Sequence, residues 1–241
     1  MLYVILGLFA LSIFNVVLLK YVPVYYTPLM LRRSWEAARE GRTIDMKKKW
    51  VPIDKISPNA VQAVVAAEDN YFRGHYGFSW EGMLKAMEKN KIDSESGKNK
   101  IRGGSTISQQ CAKNVFTFGY RNYFRKAIEA YYTVLIEWIW GKQRIMEVYL
   151  NVIEMGDGVF GIEACSQTNF QIPALELTRR QAALIAVCLP SPRKFSIKNP
   201  SSYIRGRQTT IAALMTKIGP QQFDNASLKD ARKRYRNRSR K

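Results

Sequence analysis

Histidine, cysteine and acid are scarce in this sequence. One histidine, His75, and three cysteines, Cys111, Cys165 and Cys188, stand among 241 residues. The cysteines lie far apart and form no C-x-x-C pair. A disulfide scaffold and a thiolate zinc site are both excluded, and small buried thiols are the expectation. Acid is outnumbered, with 19 Asp and Glu against 38 Lys and Arg and a net charge of +19. Such a surface draws nucleic acid, anionic headgroups or a phosphate-bearing substrate, and charge alone does not choose among them. Aromatic–basic RNA motifs are absent, which argues against nucleic acid as partner. Internal repeats are missing and alternating strand patterns nearly so. What is present is a chain 46% hydrophobic and 24% charged, long enough for one real core and far from the composition of a disordered chain.

The longest absence is of charge. Residues 1–19, MLYVILGLFALSIFNVVLL, carry none. As a helix this run is ~28 Å long, close to the ~30 Å hydrocarbon thickness of a bilayer. Tyr3, Tyr21, Tyr25 and Tyr26 suit the two interfaces. The competing reading is a cleaved signal peptide, but the usual basic n-region and a small-x-small cleavage site are missing. Lys20, Arg32 and Arg33 follow the span, so the positive-inside rule taken alone leaves the rest of the chain in the cytoplasm.

Beyond the span, residues 21–31 read as an extended neck. Ser57-Pro58 reads as a helix start, with valines following at helical spacing. Residues 79–90 look helical and KNKIDSESGKNK (89–100) reads as a loop. Gly103-Gly104 reads as a turn after which Ser105 caps a helix to about Phe116. Helices are expected over 121–140, closed by Gly141, and over 142–151, 178–187 and 201–218. GDGVFG (156–161) reads as a glycine-rich turn. The division is a transmembrane helix (1–20), a neck (21–31), one mainly α domain (32–227) and a basic tail (228–241). That tail holds eight basic residues and one acid from Lys229 on and reads as solvated and disordered.

Three constellations carry chemistry. Glu68 lies seven, four and three residues after Val61, Val64 and Val65, so its carboxylate projects from an apolar helix face. Partial desolvation would make it a better base; the plain alternative is a helix-end acid turned to solvent. Asp69, Phe72 and His75 follow it, His75 being a structural hydrogen-bonder as readily as a ligand. Second, Ser105, Thr106, Gln109, Gln110, Lys113 and Asn114 follow two glycines. Thr106, Gln110 and Lys113 share one helix face at i, i+4 and i+7, which suits a sugar or phosphate; an ordinary capped polar helix is the alternative. Third, Arg121, Arg125 and Glu129 recur at i, i+4 and i+8 beside Lys126. They read either as a surface ion pair or as a carboxylate among cations at a phosphorylated substrate. Two separated glutamates suggest glycosidic chemistry. The cations favour a pyrophosphate leaving group over hydrolysis, because charge builds on that group in the transition state.

AAEDNYFRGHYGF (66–78), RGGSTISQQCAKN (102–114), RKAIEAYYTVLIE (125–137), RIMEVYLNVIEMGDGVFGIEA (144–164) and LTRRQAALIAVCLPSPRKF (177–195) resemble, in order, the motifs of the monofunctional biosynthetic peptidoglycan glycosyltransferases, glycosyltransferase family 51. Gln181 stands where that family usually has Glu, and Asn169 where Tyr is common. The resemblance implies a lysozyme-like α fold, with the chain polymerising lipid II into glycan strands with inversion at C1. It implies Glu68 as general base on the acceptor 4-hydroxyl. Glu129, Lys113 and Arg121 would stabilise the donor pyrophosphate, with Lys85 near a phosphate and Asp69, Phe72, His75, Thr106 and Gln110 shaping the site. It further implies assistance by Mg²⁺ or Mn²⁺, no organic cofactor, and lipid II, the growing strand and membrane lipids as partners, with other cell-wall synthesis or division proteins besides. The expected place is the outer face of the cytoplasmic membrane, against the positive-inside count.

Overall fold

The computed structural model describes residues 2–96, 103–118 and 123–238. The apolar N-terminal run forms α1 (Leu2–Tyr21). Its first half is exposed, but Val16 is fully buried against the rest of the chain. The neck is shorter than expected. Thr27 caps α2 (Pro28–Arg39), its hydroxyl accepting from the Met30 amide at 3.3 Å, and Pro28 takes the first helical position where its missing N–H costs nothing. The Lys48 ammonium fastens the remaining neck through the Val24 and Tyr25 carbonyls.

The centre of the domain is α3 (Pro58–Glu68), capped by Ser57 with Pro58 behind it. Residues 60–66 are all buried, so this helix has core on every side rather than one apolar face. It packs against α9 (Arg179–Cys188) and α10 (Ser202–Ile218), and Gln62 Nε2 donates to the Met215 carbonyl at 2.7 Å. α4 (Trp80–Glu95) is capped by Ser79 and carries helix seven residues into the stretch read as a loop. α5 (Ile107–Phe116) packs between α6 (Tyr123–Ile139) and α7 (Gly141–Val152).

The GDGVFG segment is not a bare turn. β2 (Glu154–Gly156) and β3 (Val159–Phe160) pair antiparallel, and β1 (Lys47–Lys48) adds parallel to β3. Such two- and three-residue strands are too short to show alternation. Gly161 turns the chain from β3 into α8 (Ile162–Phe170) at φ +81°, where a Cβ would sit 2.7 Å from the Asn151 carbonyl oxygen. Arg33 is 1% exposed and is satisfied by Glu154 at 2.9 Å, Glu36 at 2.7 Å and Asp157 at 2.5 Å, which joins α2 to the hairpin. All three cysteines are buried and free, as expected.

The tail corrects the sequence reading. Residues Asn225–Arg238 form α11. Tyr235 packs on Tyr71 and His75 at ring distances of 5.7 and 6.1 Å, and Arg238 pairs with Glu81 at 2.9 Å. One aromatic and a few guanidiniums seat this helix, too few apolar residues to register as a periodic stripe.

Candidate active site

Glu68 is the last residue of α3, and Asp69 ends the helix. The next nine residues are tied back twice. His75 Nε2 lies 3.0 and 2.9 Å from the two Asp69 oxygens, and Asp69 Oδ2 accepts the Ile107 amide at 3.1 Å. Thr106 Oγ1 donates to the Gly77 carbonyl at 2.6 Å. The loop after Glu68 is thereby locked to the N-terminus of α5, whose unpaired amides favour a carboxylate. Phe72 is fully buried, edge-on to His75 and Phe223 and beneath the Lys142 ammonium at 4.4 Å. Phe72 and His75 brace the site from behind.

The capping residue of α5 is Thr106, not Ser105. Its hydroxyl accepts from the Gln109 amide, and Gln109 Oε1 accepts from the Thr106 amide at 3.0 Å, a reciprocal capping box. Gln109 is therefore structural. Gln110, one residue on, faces the other way. Its Nε2 donates to Glu68 Oε2 at 2.8 Å and weakly to the Ser105 carbonyl at 3.5 Å, while Tyr149 OH donates to its Oε1 at 3.2 Å. Burial raises the Glu68 pKa above the ordinary carboxylate value, while the Gln110 hydrogen bond and the Lys113 charge oppose that rise. Lys113 is half-buried, and that desolvation lowers its pKa while the Glu129 charge opposes this. Lys113 thus stands electrostatically between the two glutamates. Asn114 is buried beside it on α5.

Glu129 on α6 is 3% exposed. Its Oε1 takes Arg125 at 2.5 Å and its Oε2 lies 3.6 Å from Lys126. The i,i+4 ion pair of the plainer reading forms, but on a buried face rather than at the surface. Arg121 lies outside the described residues, as does the side chain of Lys85 on α4. Among the described residues no three His, Cys, Asp or Glu side chains converge as a metal site. A carboxylate ringed by Arg125 and Lys126, and another bonded to an amide, do not fit a protein-held divalent cation, which takes oxygen ligands in number.

Sequence reasoning missed two groups. Tyr149 fixes the orientation of Gln110. Glu137 accepts from Ser108 Oγ and pairs with the buried Lys142, both at 2.5 Å, below Asp69 and Phe72. The available signal was an acid inside the apolar stripe of α6 five residues before a lysine.

The sequence profile of the Transglycosylase family matches residues 37–216. The chain belongs to that family. A "biosynthetic peptidoglycan transglycosylase" of Bdellovibrio bacteriovorus is 46% identical over 222 residues, 92% of this chain and 86% of that protein. A relative of the same name from Bacteroides thetaiotaomicron is 45% identical over 94% of this chain and 90% of its own length. A third, from Caulobacter vibrioides, is 50% identical over 81% of each. The mainly α architecture is the lysozyme-like helical one of this transglycosylase domain. Of the two departures from the family motifs, Gln181 forms a capping box with Thr178, where Gln and Glu serve alike. Asn169 folds back onto the Cys165 carbonyl at 2.9 Å.

Proposed function

We propose that this transglycosylase polymerises lipid II, and that the juxtaposition of a desolvated Glu68 at the end of α3 with a half-buried Lys113 on α5 carries the reading. Glu68, held through Oε2 by Gln110, takes the proton of the acceptor 4-hydroxyl as that oxygen attacks C1 of the donor sugar. A raised pKa makes the ionised carboxylate a stronger base. The C1–O bond to the pyrophosphate breaks on the opposite side, which inverts C1. Lys113, backed by Glu129 with its Arg125 and Lys126, meets the charge that develops on the leaving pyrophosphate. In a desolvated site such a contact strengthens as charge grows, so it lowers the barrier more than it tightens ground-state binding. A Mg²⁺ or Mn²⁺ ion taking part would arrive on the pyrophosphate, since the described carboxylates do not form a site for it.

A lipid-linked donor and the apolar α1 support a single-pass protein of the cytoplasmic membrane with its catalytic domain on the extracytoplasmic face. The substrate requirement is weighed above the positive-inside count, because only three basic residues close to the span oppose it.

The full-length protein in detergent, given lipid II, should form glycan strands, and given finished glycan should release nothing. Lys113→Ala, checked for folding by circular dichroism, should slow lipid II consumption at least ~10-fold, the value of one charge-assisted contact of ~1.5–3 kcal/mol. Wild-type turnover by the folded variant, or cleavage of finished glycan, would overturn the reading.

A further inference from the structure

α11 and α4 enclose a cleft of about 770 Å³ that is also lined by the 74–78 loop and does not include Glu68 or Gln110. Its two walls differ in chemistry. One is apolar: Phe78 and Trp80 stack at 6.5 Å, and Leu84 continues the surface one turn along. Trp80 and Leu84 are 66% and 63% exposed, large side chains left uncovered by the described residues. The other wall is cationic, with Lys229, Arg232 and Arg236 along α11. Lys229 and Arg236 are exposed and have no acidic partner among the described residues.

Two buried polar atoms at the cleft also lack partners among the described residues. Arg232 lies over the Tyr76 ring at 4.3 Å, yet its Nε has no acceptor. His75 is 2% exposed and lines the cleft, and its Nδ1 is unpartnered. Its Nε2 faces both oxygens of Asp69, so Nε2 carries the proton and Nδ1 presents a lone pair. Buried polar groups are ordinarily satisfied, and two left open at the edge of one cavity point to a ligand that satisfies them.

We propose that this cleft binds an anionic phospholipid with a hydroxyl-bearing headgroup. The phosphodiester accepts from Arg232 Nε–H in the field of Lys229 and Arg236, a headgroup hydroxyl donates to His75 Nδ1, and the proximal acyl chain lies on Trp80 and Leu84. A free polyanion satisfies the cations but leaves the apolar wall in water. A neutral lipid does the reverse. An exposed Trp beside a basic helix is also the composition of a membrane interface.

The test is equilibrium binding to the full-length protein in neutral maltoside detergent, read by native mass spectrometry. The probes are dihexanoyl-phosphatidylglycerol, dihexanoyl-phosphatidylcholine and inorganic phosphate. One saturable phosphatidylglycerol per chain is expected, with both other probes at least ~10-fold weaker. The exposed pair Lys229→Gln/Arg236→Gln, which leaves the packing of Tyr235 and Arg232 intact, should weaken it ~30-fold at roughly 1 kcal/mol per basic group. Leu84→Asn should weaken it severalfold. Glu68→Gln should bind as wild type does, so a failure of the catalytic assignment would not disturb this result. Equal binding of phosphatidylcholine, phosphate binding as tight as the lipid, or unchanged affinity in the charge variant would overturn the proposal. Displacement of the bound phospholipid by lipid II at the concentration that half-saturates turnover would assign the cleft to substrate and overturn it as well.

Discussion

Glu68 is placed where its charge is costly, and that cost gives it a measurable signature. Because burial raises its folded pKa above the unfolded value, the folded state binds the Glu68 proton more tightly. Glu68 therefore favours folding when protonated and opposes it when ionised: the penalty is absent below the unfolded pKa and complete once the pH has risen through the folded pKa. Glu68→Gln resembles the protonated acid. It should raise Tm at neutral pH, and the gain should vanish in thermal melts taken below the ordinary carboxylate range. The same variant should lose ~10²–10⁴-fold in lipid II turnover, the usual loss with a general base. For the wild type, the acid limb of kcat/KM should fall at a pH above the ordinary glutamate range. A variant as active as wild type, or one destabilised at neutral pH, would contradict this account. Glu137 makes the opposite case, since it neutralises a buried lysine. Lys142 is 2% exposed over Phe72, so Glu137→Ala strands its charge and should cost ~3–5 kcal/mol in urea melts. Adding Lys142→Met should return most of that, because no buried charge remains.

Among the elements, α5 is the one on which the site is assembled. Its first residues fasten the Glu68 loop, its second turn carries Gln110 and its third Lys113. Thr106→Ala removes both the cap and the bond to Gly77, and should cost ~1–2 kcal/mol together with a fall in turnover. Thr106→Ser, which keeps the hydroxyl, should restore both; a rescue of stability without activity would separate the cap from the positioning of Glu68. The existence of α5 was legible in the residues, because two glycines followed by Ser and Thr signal a helix start. Which hydroxyl caps it was not, because Ser105 and Thr106 satisfy the same local rule and only Gln109 three residues after Thr106 favours the latter. Thr27-Pro28 carries the same start signal as Ser57-Pro58 and an amphipathic run follows it, so α2 was legible in the residues and the expected neck is too long. The Asp69–His75 lock and the Tyr149–Gln110 bond join residues 6 and 39 positions apart, and nothing local in a helix pattern encodes such pairs. α11 escaped notice for a different reason. Its contacts are rings and guanidiniums on a sequence that reads as solvated charge.

At the scale of the whole molecule, α1 is more than a tether. Ser12 Oγ meets Tyr131 OH at 2.7 Å, Phe9 packs on the same ring at 5.6 Å, and Trp140 Nε1 donates to the Val16 carbonyl at 2.7 Å. Arg144 closes the end of the helix on the Leu19 carbonyl at 2.9 Å while stacking over Trp50. All these contacts fall on residues 9–19, whereas the side chains of residues 2–8 point outward and are exposed. If α1 spans the bilayer, its second half packs along one side against the catalytic domain, and the domain must sit into the membrane surface rather than stand clear of it. Exposed Phe124, Val134 and Trp138 on α6, the helix that α1 packs against, supply apolar surface for that depth. Two truncations divide the roles. Deleting residues 2–8 removes only lipid-facing side chains and should leave the melting temperature in detergent within a degree or two. Deleting residues 2–21 uncovers Tyr131, Trp140 and the Arg144 guanidinium, and takes away Val16, whose burial alone is worth ~1.5–3 kcal/mol. That protein should melt well below the full chain and aggregate in detergent-free buffer, even though its catalytic residues are all present. Equal melting temperatures for the two truncations would show that α1 is a free anchor and that the buried seam at Val16 contributes nothing to the fold.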